Sequence, residues 1–173
     1  MTPDECRSIA SEGERSLREG DAVNGIKILE KALQCNTFDL SLQCSLHSQL
    51  GNAYYARGDY RKARDHHMAD LCASRLQKDE LQQAKTLSNL SATYILLSDF
   101  DNAIDCANNV INFAKKIGDK SLESRGLYSL GLAYLHCATQ RVSGAYEDDQ
   151  STKHLEQSVE CFEWLTLLFK KNL

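Results

Sequence analysis

The chain has 173 residues, 42% of them hydrophobic, and a single proline, which suffices for one modest domain or repeat array with a shared core. Its formal charge is −4, from 20 Lys and Arg against 24 Asp and Glu. Neither a nucleic-acid-binding footprint nor a basic membrane surface is indicated, and a protein partner is the expectation.

The seven cysteines (Cys6, Cys35, Cys44, Cys72, Cys106, Cys137, Cys161) include no CxxC pair, and their odd number cannot close a full disulfide set; they are expected to be reduced, cytosolic thiols. The N-terminus lacks an apolar signal core, and no segment approaches 18 consecutive apolar residues. Secretion and membrane spanning are therefore not expected.

Apolar periodicity and start and stop residues predict helices in pairs at about 4–18 and 22–35, 39–57 and 60–77, 80–97 and 100–117, and 120–137 and 152–170. The first pair is degenerate, keeping Gly13, Gly20-Asp21 and Ala32 but placing Glu12 where later units have Leu, as terminal repeats often do. In the next three, Leu50-Gly51-Asn52-Ala53-Tyr54, Leu90-Ser91-Ala92-Thr93-Tyr94 and Leu130-Gly131-Leu132-Ala133-Tyr134 recur every 40 residues. Gly58-Asp59-Tyr60-x-x-Ala63 is echoed by Ser98-Asp99-Phe100-x-x-Ala103. Leu and Tyr at i and i+4 bury one stripe, and the small residue beside Leu lets a neighbouring helix approach. Gly58 or Ser98 ends the first helix, the following Asp caps the second, and the Ala packs back, so bulk there should be costly.

The expected architecture is an all-α superhelix of tetratricopeptide-type helical hairpins, one domain over 1–173 with about four 40-residue repeats at about 4–37, 39–78, 79–118 and 119–171. The fourth is broken by a polar stretch, 138–151, with Gly144 and the acidic run Glu147-Asp148-Asp149, read as a surface loop. In the last helix Val159, Phe162, Leu165, Leu168 and Phe169 form an apolar stripe, with Trp164 and Leu167 off it. A terminal repeat usually has a polar outer face, so this helix is expected to need a further repeat, a second copy or a partner as cover.

Leu-Gly-x-x-Tyr followed by Gly-Asp-Tyr-x-x-Ala resembles the tetratricopeptide motif, and the 40-residue version with a Leu-Gly-Asn word resembles the Pins/LGN family of G-protein signalling modulators, N-terminal repeat region. Glu12-Gly13-Glu14-Arg15 with Gly20-Asp21, Gln49-Leu50-Gly51-Asn52-Ala53-Tyr54 with His66-His67 and Asp70-Leu71, and Ile117-Gly118-Asp119-Lys120 with Arg125-Gly126-Leu127-Tyr128 are similar to it too. The resemblance implies a scaffold that binds a partner peptide, a NuMA-, Mud- or Inscuteable-like segment, on its concave face. It implies roles in spindle orientation, cell division and polarity linked to G-protein signalling, in the cytoplasm with recruitment to the cell cortex or spindle poles. The family's GoLoco motifs, which bind Gα·GDP, have no counterpart in these residues. Leu-Gly-Asn is intact only at Leu50-Gly51-Asn52, with Ala92 and Leu132 replacing Asn later.

In such a hairpin the first helix lines the concave surface, and its residues at i, i+3, i+7 and i+10 share a face. The candidate partner-binding residues are Arg7, Glu14 and Arg18; Ser48, Gln49, Asn52 and Tyr55; Lys85, Ser88 and Asn89; and Arg125 and Tyr128. The amides of Gln49 and Asn89 can donate to and accept from a peptide main chain, and Lys85 and Arg125 suit acidic partner residues.

Catalysis is not expected. Adjacent His66-His67 project about 100° apart on a helix and cannot share a metal, no cysteine stands in a nucleophile motif, and no GxGxxG loop is present. No catalytic, cofactor or metal residue is assigned. The alternatives are a self-associating repeat module acting through its C-terminal helix and a chaperone-type adaptor. The latter is disfavoured by Ala10 and Glu14, where its carboxylate clamp resembles Lys and Asn.

Overall fold

A computed structural model describes residues 3–35, 39–142 and 149–171. It divides into two compact units, 1–86 and 87–173. The N-terminal unit holds α1 (Pro3–Arg18), α2 (Ala22–Leu33), α3 (Leu40–Ala56) and α4 (Tyr60–Leu76). The next helix, α5 (Glu80–Leu96), is divided between the units after Thr86. The C-terminal unit continues with α6 (Phe100–Ile117), α7 (Lys120–Val142) and α8 (Asp149–Lys171). All the described elements are helices, as the repeat pattern predicts.

Each corner follows one chemical rule. Asp21, Asp59 and Asp99 accept from the amides of Asn24, Lys62 and Asn102 at 3.1–3.4 Å, capping α2, α4 and α6. A second series, Asp39, Asp79 and Asp119, caps α3, α5 and α7 through the amides of Leu42, Gln82 and Leu122 at 2.9–3.1 Å. The sequence reading found only the first series, although the second recurs every 40 residues. Ahead of five of these aspartates stands a left-handed residue: Gly20, Gly58, Lys78, Ser98 or Gly118. At the Gly58 corner, φ is 80°, and the amides of Gly58 and Asp59 donate to the carbonyls of Tyr55 and Tyr54, each at 3.0 Å. This wrapped end satisfies carbonyls the helix cannot.

The hairpins close on a small residue. A Cβ on Gly51 would lie 2.5 Å from the ring of His67, and one on Gly131 would lie 2.9 Å from Phe162. At the third such position Ser91 is fully buried and donates to the carbonyl of Ala103 at 2.9 Å. Ala63 and Ala103 are completely buried, so a larger side chain at either would overpack the crossing. In the last hairpin Ser158 takes the corresponding role, donating to the carbonyl of Gly131 at 3.0 Å. Leu46, Leu50, Tyr54, Ile26 and Leu29 form the core of the N-terminal unit, and Ile111, Leu130, Ala107 and Cys161 a core of the C-terminal unit.

Two expectations need correction. The stretch 138–151 is not all loop: α7 runs on to Val142 and α8 begins at Asp149. Buried Cys137, Ala138 and Ser151 carry the packed stripes of the two helices into that stretch. Gly144, Glu147 and Asp148 lie outside the described residues. On α8, Ser158 and Cys161 are buried while Val159 is 51% exposed, so the inward stripe is rotated from the one read by hydropathy. No two of the seven cysteines are joined by a disulfide.

Two measurements check these corners and crossings. Gly58→Ala should cost about 1 kcal/mol, and Ser98→Gly should gain about 0.5–1 kcal/mol, because a Cβ in the left-handed region is strained; urea unfolding reads both. His67 is buried with neither ring nitrogen hydrogen-bonded, and His47 Nδ1 lies 3.0 Å from His66 Nδ1. Burial, and then the neighbouring His66, holds both His47 and His67 down to about 4, from an ordinary value of 6.5. The unfolded chain therefore takes up more protons between these limits, and these histidines remove stability as pH falls through that window. Asp70, whose carboxyl burial raises, works in the opposite direction. NMR should find the His47 and His67 rings still neutral at pH 5.5; midpoints at the ordinary value contradict the packing.

Candidate partner-binding face

The unburied side of the first helices collects most of the candidates. On α3, Asn52 is exposed, Ser48, Gln49 and Tyr55 are half-buried, and Tyr55 meets Tyr60 edge to face at 5.6 Å. On α1, Arg18 is exposed and Glu14 half-buried. Arg7 is exposed too, but its Nη2 donates to Asp39 at 2.7 Å. That hydrogen bond, together with the Leu42 amide, holds the Asp39 carboxyl below its usual range. Arg7 is thus engaged with the residue that caps α3.

Beside α3 lies a cavity of about 330 Å³, with the hydroxyls of Ser41, Ser45 and Ser48 and the amide of Gln49 on one side. Gln77, Asp79 and Gln82, from the corner between α4 and α5, form the other. Behind it sits Asp70, fully buried, accepting from Thr86 Oγ1 at 2.7 Å and from Gln82 Nε2 at 3.1 Å, with Ser48 also bonded to it. A buried carboxylate is costly unless its lone pairs are filled, and these neighbours fill them. Asp70, Thr86, Gln82 and Asp79 are absent from the sequence-based candidates. The available signal was a charged residue on the stripe of Ala63, His67, Leu71 and Ser74, all of which are buried.

Lys85 is exposed on α5. In the C-terminal unit Ser88 is buried at 4% exposure, so its hydroxyl is not presented at the surface. Asn89 is half-buried and accepts from Arg125 Nη2 at 3.4 Å, a long bond that leaves Arg125 exposed. Tyr128 is 52% exposed and meets Phe162 edge to face. Lys85 and Gln49 stand at the same sequence separation as Arg125 and Asn89, yet that pair is not closed: Gln49 Oε1 is buried without a partner. The two units therefore differ in charge on the exposed side of their first helices, with a carboxylate-backed cavity in one and an exposed guanidinium held toward an amide in the other. Among the described residues no three His, Cys, Asp or Glu side chains group to hold a metal. No described helix is long and apolar enough to cross a membrane.

No family model matches the chain. Human G-protein-signaling modulator 1 is 38% identical to it over 101 residues, which is 58% of this chain and 15% of that protein. The mouse protein of the same name is 39% identical over 85 residues, 49% of this chain and 13% of that one. The chain thus matches under a fifth of the length of these relatives. The 43 kDa receptor-associated protein of the synapse from Gallus gallus is 28% identical over 155 residues, covering 80% of this chain and 36% of that protein. Among solved structures, a Podosopora anserina kinesin light chain with nearly identical TPR-like repeats superimposes with a TM-score of 0.62 at 15% identity, covering 99% of this chain and 98% of that one. A MamA RS-1 double mutant does so with a TM-score of 0.60 at 18% identity, with the same coverage. The chain is an all-α, tetratricopeptide-type repeat protein with the G-protein signalling modulators among its sequence relatives.

Proposed function

We propose that the chain is a protein-interaction adaptor that takes up a partner segment on the exposed face of its first helices, and that acidic side chains of the segment meet Arg125. The observation that carries this reading is Arg125 itself. It is exposed on the first-helix face, is held toward Asn89 at 3.4 Å, and stands three residues from the half-exposed ring of Tyr128. A guanidinium offers a planar fork that pairs with a carboxylate through two parallel bonds, and an adjacent aromatic supplies apolar contact. Asn89, with its amide already oriented, can bond the segment's main chain. The mechanism is binding alone.

The likeness to G-protein-signaling modulator 1 supports a setting in G-protein-linked signalling. The resemblance to the Pins/LGN family supports a NuMA-, Mud- or Inscuteable-like partner, a role in spindle orientation and polarity, and cytoplasmic residence with recruitment to the cortex or spindle poles. Self-association is a second reading, favoured by α8, where Trp164 is 63% and Leu167 48% exposed. Such surface is often covered by another copy or a partner.

Titration with an acidic segment of an Inscuteable-like or NuMA-like protein, followed by anisotropy, tests the first reading. Arg125→Glu should weaken binding ~10-fold or more, since attraction becomes repulsion, while circular dichroism remains unchanged. Equal affinity for the variant rejects it. If light scattering finds a dimer that Trp164→Ser dissolves without altering peptide affinity, the second reading holds as well.

A further inference from the structure

The cavity beside α3 has a chemical bias that an acidic segment does not use. Three carboxamides face it, and each gives an N–H to the protein: Gln49 Nε2 donates to Ser45 Oγ at 3.1 Å, Gln77 Nε2 to Cys44 Sγ at 3.1 Å, and Gln82 Nε2 to Asp70 Oδ2 at 3.1 Å. Ser48 is likewise bonded to Asp70. Among the lining groups the Asp79 carboxylate can only accept. Gln49 Oε1 is a buried atom with no partner, which native proteins rarely tolerate; a ligand reaches it only when the Gln49 side chain turns outward.

The charges agree with the hydrogen bonds. Asp79 lies on the wall, Asp70 lies behind it, and no lysine or arginine is among the lining residues. Burial raises the Cys44 thiol to about 11, and the carboxylates of Asp70 and Asp79 push in the same direction, as a negative local field requires. An anion would be repelled here, and an aliphatic side chain would leave the acceptors dry and unfilled. A guanidinium is acceptor-free, carries five N–H donors in one plane, and is less strongly hydrated than an ammonium.

We propose that this cavity is a subsite for an arginine side chain of the partner segment, with Asp79 as its main acceptor and the serine hydroxyls and an outward-turned Gln49 carbonyl completing the shell. The proposal rests on the adaptor reading for its source of arginine, but it concerns different residues from those that carry that reading. It gives the N-terminal unit a preference of its own, for a basic side chain.

The test uses the 173-residue chain, 15N-labelled, and N-acetyl-arginine amide as the probe, with the neutral isostere N-acetyl-citrulline amide beside it. The side-chain amide signals of Gln49, Gln77 and Gln82 should move with the arginine probe, and citrulline should bind ~5-fold more weakly or worse. Asp79→Asn keeps an N-capping side chain while removing the charge, and should weaken the arginine probe ~3-fold or more with an unchanged thermal melt. Gln49→Leu, which removes the orphaned oxygen at similar volume, should weaken it too. Absence of any shift, equal binding of the two probes, or full affinity in both variants overturns the proposal. Because no partner segment is in solution, that failure leaves the Arg125 reading standing. Loss of Arg125 dependence in the peptide titration would conversely leave this subsite standing.

Discussion

A small residue stands where the two helices of a hairpin cross, and the fold depends on its size. Where the first helix crosses the second, Gly51 lies against the His67 ring, Gly131 lies against Phe162, and Ser91 reaches the carbonyl of Ala103. A Cβ at Gly51 or Gly131 would sit closer to a ring than real atoms approach. The helices of a hairpin come together only because these positions are small, and Leu50, Leu90 and Leu130 are buried next to them as a result. The aspartate corners do the complementary work of fixing where each helix begins, so that the small residue meets its partner in register.

The proposed function rests on what the crossing leaves over. A first helix that spends one side on its own hairpin has another side for something else, and the residues there are polar or aromatic. In the N-terminal unit they are serines and amides in front of a buried, fully bonded Asp70; in the C-terminal unit they are Asn89, Arg125 and Tyr128. Hydroxyls and amides oriented by bonds within the protein lose little freedom when a ligand arrives. Burial holds the ring of His67 neutral well below the ordinary histidine range.

Most of the fold was legible because the repeat states it several times. The 40-residue recurrence of Leu-small-x-x-Tyr located the hairpins to within a residue or two at most ends, and Gly58-Asp59 and Ser98-Asp99 located two corners. The Asp39, Asp79 and Asp119 series was equally periodic, but without a glycine ahead of Asp39 or Asp79 it did not read as punctuation. The polar stretch 138–151 misled because composition marks solvent exposure, while the buried stripes of α7 and α8 extend into it from both ends. The face itself was read from angular position, which puts Arg125, Tyr128 and Asn52 at the surface but cannot tell that Ser88 turns inward. Asp70 was missed for the same reason: its lone pairs are filled by residues distant in sequence, Thr86 among them, and only the fold brings those together.

The central claim is that the exposed side of the first helices, and not the second helices, receives the partner. Photo-crosslinking tests it directly. A benzophenone amino acid placed at Asn52 or Tyr128 on the first helices, and in parallel at Met68 or Asn108 on α4 and α6, is irradiated with an acidic, arginine-containing partner segment; all four positions are exposed. The account predicts adducts from the first-helix positions alone, competed away by unlabelled segment. Adducts confined to Met68 and Asn108 would contradict it.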